Sequence, residues 1–199
     1  VYVTYSKLEH FVENVLPNVK VDFVLITGQW QLSNPFSERV ADAILINPHV
    51  QKWFAQNVDM YLKRHKNNLK VSPFPYGIRE GEGTTTEVYR NSFLRNLQTN
   101  KTEMVYAGYL AQRSDRSEMP SGEKLPIPLY LQALAHSLYI LSPNGDRPEC
   151  YRHYEAIGLG TVPITQLDTF VHEHLQRAVV YKNDNWNITK LGQLLPSNV

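Results

Sequence analysis

The chain has 199 residues, with 20 Lys and Arg against 19 Asp and Glu, and this near-neutral balance excludes broad electrostatic attraction to nucleic acid, so an anion must be met by a local site. Hydrophobic residues make up 42% and aromatics 11%, enough for one sizeable core or two small ones and too many for a disordered chain. A single cysteine, Cys150, excludes an internal disulfide framework and a cysteine-based zinc site, and no apolar run reaches the roughly 18 residues that span a bilayer. The opening Val1-Tyr2-Val3-Thr4-Tyr5 lacks the charged and apolar regions of a signal peptide. A cytoplasmic setting suits these features, with the Golgi lumen as the alternative if an anchor precedes Val1, which is not a Met.

Taken in chain order, short apolar runs of strand length alternate with segments of helical spacing, the pattern of βαβ units and a parallel sheet. Val1 to Tyr5 is a predicted strand. Leu8, Phe11, Val12, Val15 and Leu16 follow at helical spacing until Pro17. Asp22 to Thr27 is a buried strand ending at Gly28, and Ala43 to Ile46 is another. Asn47 and Pro48 then supply a cap and a first-turn residue for a helix running towards Gln56. Val71 to Pro75 is a short strand. The polar stretch Arg79 to Thr86, with Gly81 and Gly83, is a loop and the expected boundary between two halves, residues 1–83 and 84–199.

The second half repeats this grammar. Glu103 to Tyr109 is a strand, Gln112 to Lys124 a charged loop, and Leu129 to Ala135 contains a helix. Leu138 to Leu141 is a strand, followed by a turn at Ser142-Pro143-Asn144-Gly145 and a helix from Tyr151 to Leu159 that Gly160 ends. Val162 to Ile164 and Val179 to Tyr181 are the last strands.

In open α/β sheets, ligands bind beyond the carboxyl ends of strands, where helix N-termini present unpaired N–H groups to anions. The segment from Leu138 to Glu155 has this form. Arg147 and Arg152 stand near the start of its helix, within reach of a phosphate pair, and guanidinium groups make bidentate bonds to phosphate. Glu155, three residues after Arg152, has a carboxylate suited to the two hydroxyls of a ribose. The competing reading is that Arg152 and Glu155 simply pair with each other on the helix surface.

The run from Leu141 to Ile164, Leu-Ser-Pro-Asn-Gly-Asp-Arg-Pro-Glu-Cys-Tyr-Arg-His-Tyr-Glu-Ala-Ile-Gly-Leu-Gly-Thr-Val-Pro-Ile, resembles the C-terminal signature of exostosin-like glycosyltransferases. That signature has a strand, a Ser-Pro-x-Gly turn, an Arg, an aromatic residue, Glu-Ala on a helix and a Gly-x-x-Pro return to the sheet. In the first half, the segments Phe11 to Pro17, Phe23 to Thr27, Trp53 to Asn57 and Pro73 to Ile78 follow the order seen in relatives of that family. The resemblance implies an α/β, GT-B-like fold of two Rossmann-like halves with parallel sheets facing a cleft. It implies donor binding by the C-terminal half, through Ser142, Pro143, Asn144, Gly145, Arg147, Tyr151, Arg152 and Glu155, and acceptor binding by the N-terminal half. Arg113 and Arg116, after the strand from Glu103, are by position in such folds able to close over the diphosphate, the competing reading being solvated charges of the loop.

The implied reaction is inverting and metal-independent transfer from a nucleoside-diphosphate sugar, UDP-sugar favoured, to a hydroxyl of a glycan or glycoprotein acceptor. Positive side chains and a helix dipole take the place of a divalent ion at the leaving diphosphate, so no cofactor or metal ligand is expected. Two departures stand out. Many relatives carry His and Asp after the second strand, where this chain has Gly28-Gln29-Trp30-Gln31, and Tyr151 stands where His is common.

The base that an inverting transferase needs is sought at a strand end, where His49 and Glu38 qualify by position. Trp30, Trp53 and Tyr76 are possible sugar-stacking rings, Trp53 beside Phe54 being also a natural core residue. His172 and His174 flank Glu173, and a spacing of two on a helix points them apart as solvated surface rather than metal ligands. Two other functions stay open: a non-catalytic nucleotide-sugar or glycan-binding α/β protein, and an unrelated nucleotide-binding enzyme such as an epimerase or sugar phosphatase. Neither G-x-G-x-x-G nor a P-loop is present to support the last.

Overall fold

The computed structural model describes residues 1–28, 36–56, 70–78, 86–111, 119–145, 147–169, 171–175 and 177–181. They form two compact units. The first comprises Val1–Gly77, Asn144–Tyr151 and Leu167–Arg177, and the second Ile78–Pro143, Arg152–Gln166 and Ala178–Val199. The first unit therefore takes in two segments from beyond residue 83.

The first unit is built on a parallel sheet of β1 (Tyr2–Thr4), β2 (Phe23–Gly28), β3 (Val50–Ala55) and β4 (Val71–Pro73), in that spatial order. Register runs from Val3 opposite Thr27, through Leu25 opposite Trp53, to Trp53 opposite Val71. α1 (Tyr5–His10) continues through a π turn at Phe11–Val15 and a 3-10 turn at Leu16–Asn18. Leu8, Phe11, Val12 and Leu16 of this run are buried, as their spacing predicts, whereas Val15 is exposed, and Pro17, with no N–H to donate, stands in its last turn.

Two expectations are reversed between residues 38 and 56. The apolar run Ala43 to Ile46 is the end of a helix, α2 (Glu38–Ile46), and the segment expected as a helix after Pro48 is strand β3. The helix starts where the Ser37 hydroxyl accepts a bond from the Val40 N–H at 3.4 Å, and it buries Val40, Ala41 and Ile44, a helical rather than a strand-like set. Asn47 does not start a helix; it is the extended residue that ends α2. Its Oδ1 accepts from the His49 N–H at 2.9 Å, closing a local turn that delivers the chain into β3. There Val50, Trp53 and Ala55 are buried while Gln51 is exposed.

Trp53 lies at the middle of this core with no exposed surface, and its indole N–H donates to Thr27 Oγ1 at 2.9 Å. The same hydroxyl bonds the side chain of Tyr5, whose own hydroxyl donates to the Gln56 carbonyl. Burial is the main reason that the Tyr5 phenol is held well above its ordinary pKa, so it remains a donor.

The second unit carries a parallel sheet of β5 (Glu103–Tyr106), β6 (Ser137–Ser142), β7 (Val162–Thr165) and β8 (Val180–Tyr181), again ordered as in the sequence. α3 (Thr86–Asn96) precedes β5, α4 (Ile127–Ala135) precedes β6, and α5 (Tyr151–Gly158) precedes β7. Of these, α3 is not among the predicted elements. The expected loop before it lies outside the described residues as far as 85, and the Gln112 to Lys124 segment is described only from 119. Strand periodicity divides β6 between two cores: Ile140 packs with Tyr89, Leu131, Leu134, Ala156 and Leu159, while Tyr139 and Leu141 pack with Ile164. β6 thus buries side chains on both of its faces, as the strands of a parallel sheet do. After α5, Gly160 turns the chain with φ +68, and the Thr161 N–H returns to the Ala156 carbonyl at 2.9 Å.

The Thr27 hydroxyl supports a test of the first core. Thr27→Val keeps the volume but removes the hydroxyl that bonds the Trp53 indole N–H and Tyr5, and urea unfolding followed by circular dichroism is expected to show a loss of about 1–3 kcal/mol. An unchanged midpoint would mean that the indole finds another acceptor.

Candidate functional site

β6 ends at Ser142, a fully buried residue, and the chain passes through Pro143, Asn144 and Gly145 before α5 begins at Tyr151. Arg152 is the second residue of α5. Its Nη2 donates to the Tyr109 carbonyl at 2.7 Å, just past the carboxyl end of β5, and its Nε is buried with no hydrogen-bond partner among the described residues. The guanidinium is thereby fixed at the carboxyl edge of the second sheet, where α/β proteins bind their ligands, with part of its donor set uncommitted.

Glu155, one turn further along α5, is buried at 6% exposure. It does not pair with Arg152; no ion pair joins the two among the described residues. Instead Oε1 accepts from the Tyr89 hydroxyl at 2.6 Å and Oε2 from the Tyr130 hydroxyl at 2.8 Å. One carboxylate so connects α3, α4 and α5. Burial, followed by the neighbouring Glu155 charge, holds the Tyr130 phenol well above its ordinary pKa, with Arg152 opposing the shift, and the phenol therefore stays protonated and donating. The two tyrosines were not legible as partners, since they lie 66 and 25 residues from Glu155 in sequence.

Arg147, expected to form a phosphate pair with Arg152, belongs to the other unit. It is buried at 6% exposure, donates through Nη1 to the Tyr76 hydroxyl, and stacks with its guanidinium carbon 5.3 Å from the Tyr76 ring centroid. Its Nε, and Asn144 Oδ1, are buried without a hydrogen-bond partner among the described residues. Tyr151 faces Tyr76 with ring centroids 4.6 Å apart. Burial and a hydrogen bond donated by its hydroxyl to Tyr151 raise the Tyr76 phenol well above its ordinary pKa, against the nearby Arg147 charge. Tyr76 is thus tied to Arg147 and Tyr151, and Trp53 is core. Trp30, Arg113 and Arg116 lie outside the described residues.

The two bases sought in the first half differ in placement. His49 precedes β3, and its Nδ1 is 3.1 Å from Oδ1 of Asp22, which precedes β2. Both side chains stand at the amino edge of a parallel sheet. The position that recommended His49, beyond a strand's carboxyl end, is not the one it holds, because the run before it is a helix. Glu38 is exposed in the first turn of α2, the helix that follows the carboxyl end of β2.

His172 also departs from expectation: it is buried at 2% exposure rather than solvated, while His174 is exposed. The 3-10 turn at Glu173–Leu175 sets their ring centroids 6.0 Å apart. Glu149, itself buried, joins them, and one ligand atom from each of the three residues lies within 4.8 Å of the others. Burial, with the neighbouring His172, lowers the His174 pKa and favours its neutral imidazole. No signal in the sequence linked Glu149 to residues more than twenty positions away.

Residues 83–190 match the family model described as the RXYLT1 C-terminal domain. No curated protein matches the chain.

The Glu155 network is testable by itself. Tyr130→Phe is expected to lower stability to urea by about 1.5–3 kcal/mol, the range for a hydrogen bond to a charged group. In a Glu155→Gln background the same substitution should cost clearly less, and equal costs in both backgrounds would show that the phenol and carboxylate are not coupled.

Proposed function

The chain belongs to the RXYLT1 C-terminal domain family, a glycosyltransferase-related family, and from that premise we propose that it moves a sugar from a nucleoside-diphosphate donor to a glycan hydroxyl. UDP-sugar is the favoured donor, and the transfer is inverting and metal-independent. The observation that carries the proposal is Arg152: a guanidinium anchored to the Tyr109 carbonyl at the carboxyl edge of a parallel sheet, in the first turn of a helix, with a buried Nε that has no partner among the described residues. A helix N-terminus and a preset guanidinium together suit a diphosphate.

In this reading the second unit binds the donor and the first binds the acceptor, as in GT-B-type enzymes. Arg152 takes phosphate oxygens and stabilises the charge that develops on the leaving diphosphate, where a preset donor is worth more than one that must reorient. Glu155, its carboxylate aimed by Tyr89 and Tyr130, has further lone pairs for ribose hydroxyls, since each oxygen accepts more than one bond. Ser142 and Pro143 complete the proposed set in this unit, whereas Asn144, Gly145, Arg147 and Tyr151 belong to the first unit and Arg113 and Arg116 lie outside the described residues. Glu38, on the helix that follows the carboxyl end of β2, is the base of this proposal. The acceptor hydroxyl loses its proton to that carboxylate as its oxygen attacks the anomeric carbon, and the nucleoside diphosphate leaves.

One observation favours a second reading, a nucleotide-sugar-binding protein without turnover: His49, the other base sought, stands at the amino edge of its sheet beside Asp22.

Thermal unfolding with UDP-, GDP- and CMP-sugars tests binding, because a ligand held only by the folded state adds about 2.7 kcal/mol at a hundred times its dissociation constant. Stabilisation by one nucleotide class, lost in Arg152→Ala, is expected. With acceptor present, nucleoside diphosphate should be released, and Arg152→Ala should lower kcat/KM by about 10²–10³-fold. Binding without release supports the second reading, and no stabilisation by any nucleotide-sugar overturns both.

A further inference from the structure

The first unit contains a cluster that the transfer reading does not use. Glu149, His172 and His174 come from the two segments, Asn144–Tyr151 and Leu167–Arg177, that join this unit from the later part of the chain. Each offers one ligand atom, and the three atoms lie within 4.8 Å of one another. We propose that these three side chains bind a divalent transition-metal ion of the zinc class, with water completing the coordination.

The local backbone prepares the cluster. Asp168 opens the turn that carries both histidines, its Oδ1 accepting from the Val171 N–H at 3.1 Å and its carbonyl from the His172 N–H at 3.0 Å. The Leu175 N–H then donates to the His172 carbonyl at 2.9 Å, closing the turn around His174. On the other segment, Glu149 Oε2 accepts from the Tyr76 N–H at 3.1 Å, which aims Oε1 towards His172 Nδ1, 4.0 Å away. An outer-shell bond of this kind orients a metal-ligating carboxylate.

Metal bonds of about 2.0–2.2 Å in tetrahedral geometry place ligand atoms roughly 3.4 Å apart, so the cluster must contract by about an ångström. Glu149 and His172 are buried and their 4.0 Å separation closes by about half an ångström, whereas His174 is exposed and supplies the larger adjustment. The exposed side also gives the ion its entry. Two imidazoles and one carboxylate suit zinc and its first-row neighbours, while calcium and magnesium prefer all-oxygen sets. Three protein ligands leave a fourth position for water.

The bound ion clips the Asn144–Tyr151 segment to the Leu167–Arg177 segment and so secures the part of the first unit that carries Arg147. It takes no part in the proposed leaving-group chemistry, and its test is independent of transfer.

The full chain, freed of metal by chelator, is titrated with Co²⁺ and then with Zn²⁺. One equivalent of Co²⁺ should produce visible d–d absorption, Zn²⁺ should displace it, and Zn²⁺ should raise the Tm. His174→Ala, which alters an exposed side chain, should weaken Zn²⁺ binding by about 100-fold or more, since even outer-shell partners are worth 10–100-fold. His10→Ala, at an exposed site in α1, should bind as the wild type does. Absence of d–d absorption in the wild type, or equal Zn²⁺ affinity in His174→Ala, overturns the proposal whatever the outcome of transfer assays.

Discussion

The second unit depends on one buried carboxylate. A carboxylate at the position of Glu155 is stabilised by two phenols that donate to it, and those phenols come from two other helices, α3 and α4. The bond therefore constrains the roll of α5 about its own axis as well as its distance from its neighbours. Arg152 lies three residues earlier, on nearly the same helical face, so the roll that satisfies Glu155 also directs Arg152 towards the Tyr109 carbonyl at the sheet's carboxyl edge. Tyr89 and Tyr130, neither of them in the Ser142–Glu155 segment, thereby set the geometry of the residue best placed to meet an anion.

The same dependence explains why Arg152 and Glu155 do not pair. An exposed Arg and Glu three residues apart gain little from each other, because water screens them and both side chains lose freedom. Glu155 turned inward instead gains two phenol donors in a low-dielectric setting, where hydrogen bonds are stronger. Arg152 then finds a backbone carbonyl. Local spacing proposed one partner and tertiary structure supplied two better ones.

Much of the α/β alternation was legible in the sequence because buried parallel strands are short apolar runs between turn residues: β1, β2, β4, β5, β6, β7 and β8 all lie where such runs occur. The exchange of helix and strand between residues 38 and 56 has a definite cause. Ala43 to Ile46 is apolar enough for a strand and too short to reveal its period, while the start of the helix at Ser37 lies beyond that window. Asn47-Pro48 serves both as a helix-start signal and as a turn, and only the Asn47 to His49 bond decides between them. Helix α3 escaped notice for the opposite reason. Between Thr86 and Asn96 only Tyr89 and Ser92 are buried, so the apolar stripe that announces a helix is nearly absent. Its main anchor is a phenol, not a hydrophobic face.

For the site, local and distant information separate along the same line. The stretch from Ser142 to Glu155 was legible as a strand, a turn and a helix bearing Arg and Glu, because all of it is contiguous. The contacts that give each of those residues its environment were not, since Tyr76 reaches Arg147 and Tyr89 reaches Glu155 across more than sixty residues. This separation also ranks the two side chains as reporters of binding. Glu155 accepts from two helices besides its own, so its removal disturbs the fold and any ribose contact at once by taking away the carboxylate to which two buried phenols donate. Arg152 donates to the Tyr109 carbonyl, lies beside the Tyr130 phenol and is only half-buried. Its loss changes the charge at the sheet edge while the carboxylate that positions α5 keeps both of its donors, and an effect on anion binding is then a property of the site rather than of the scaffold.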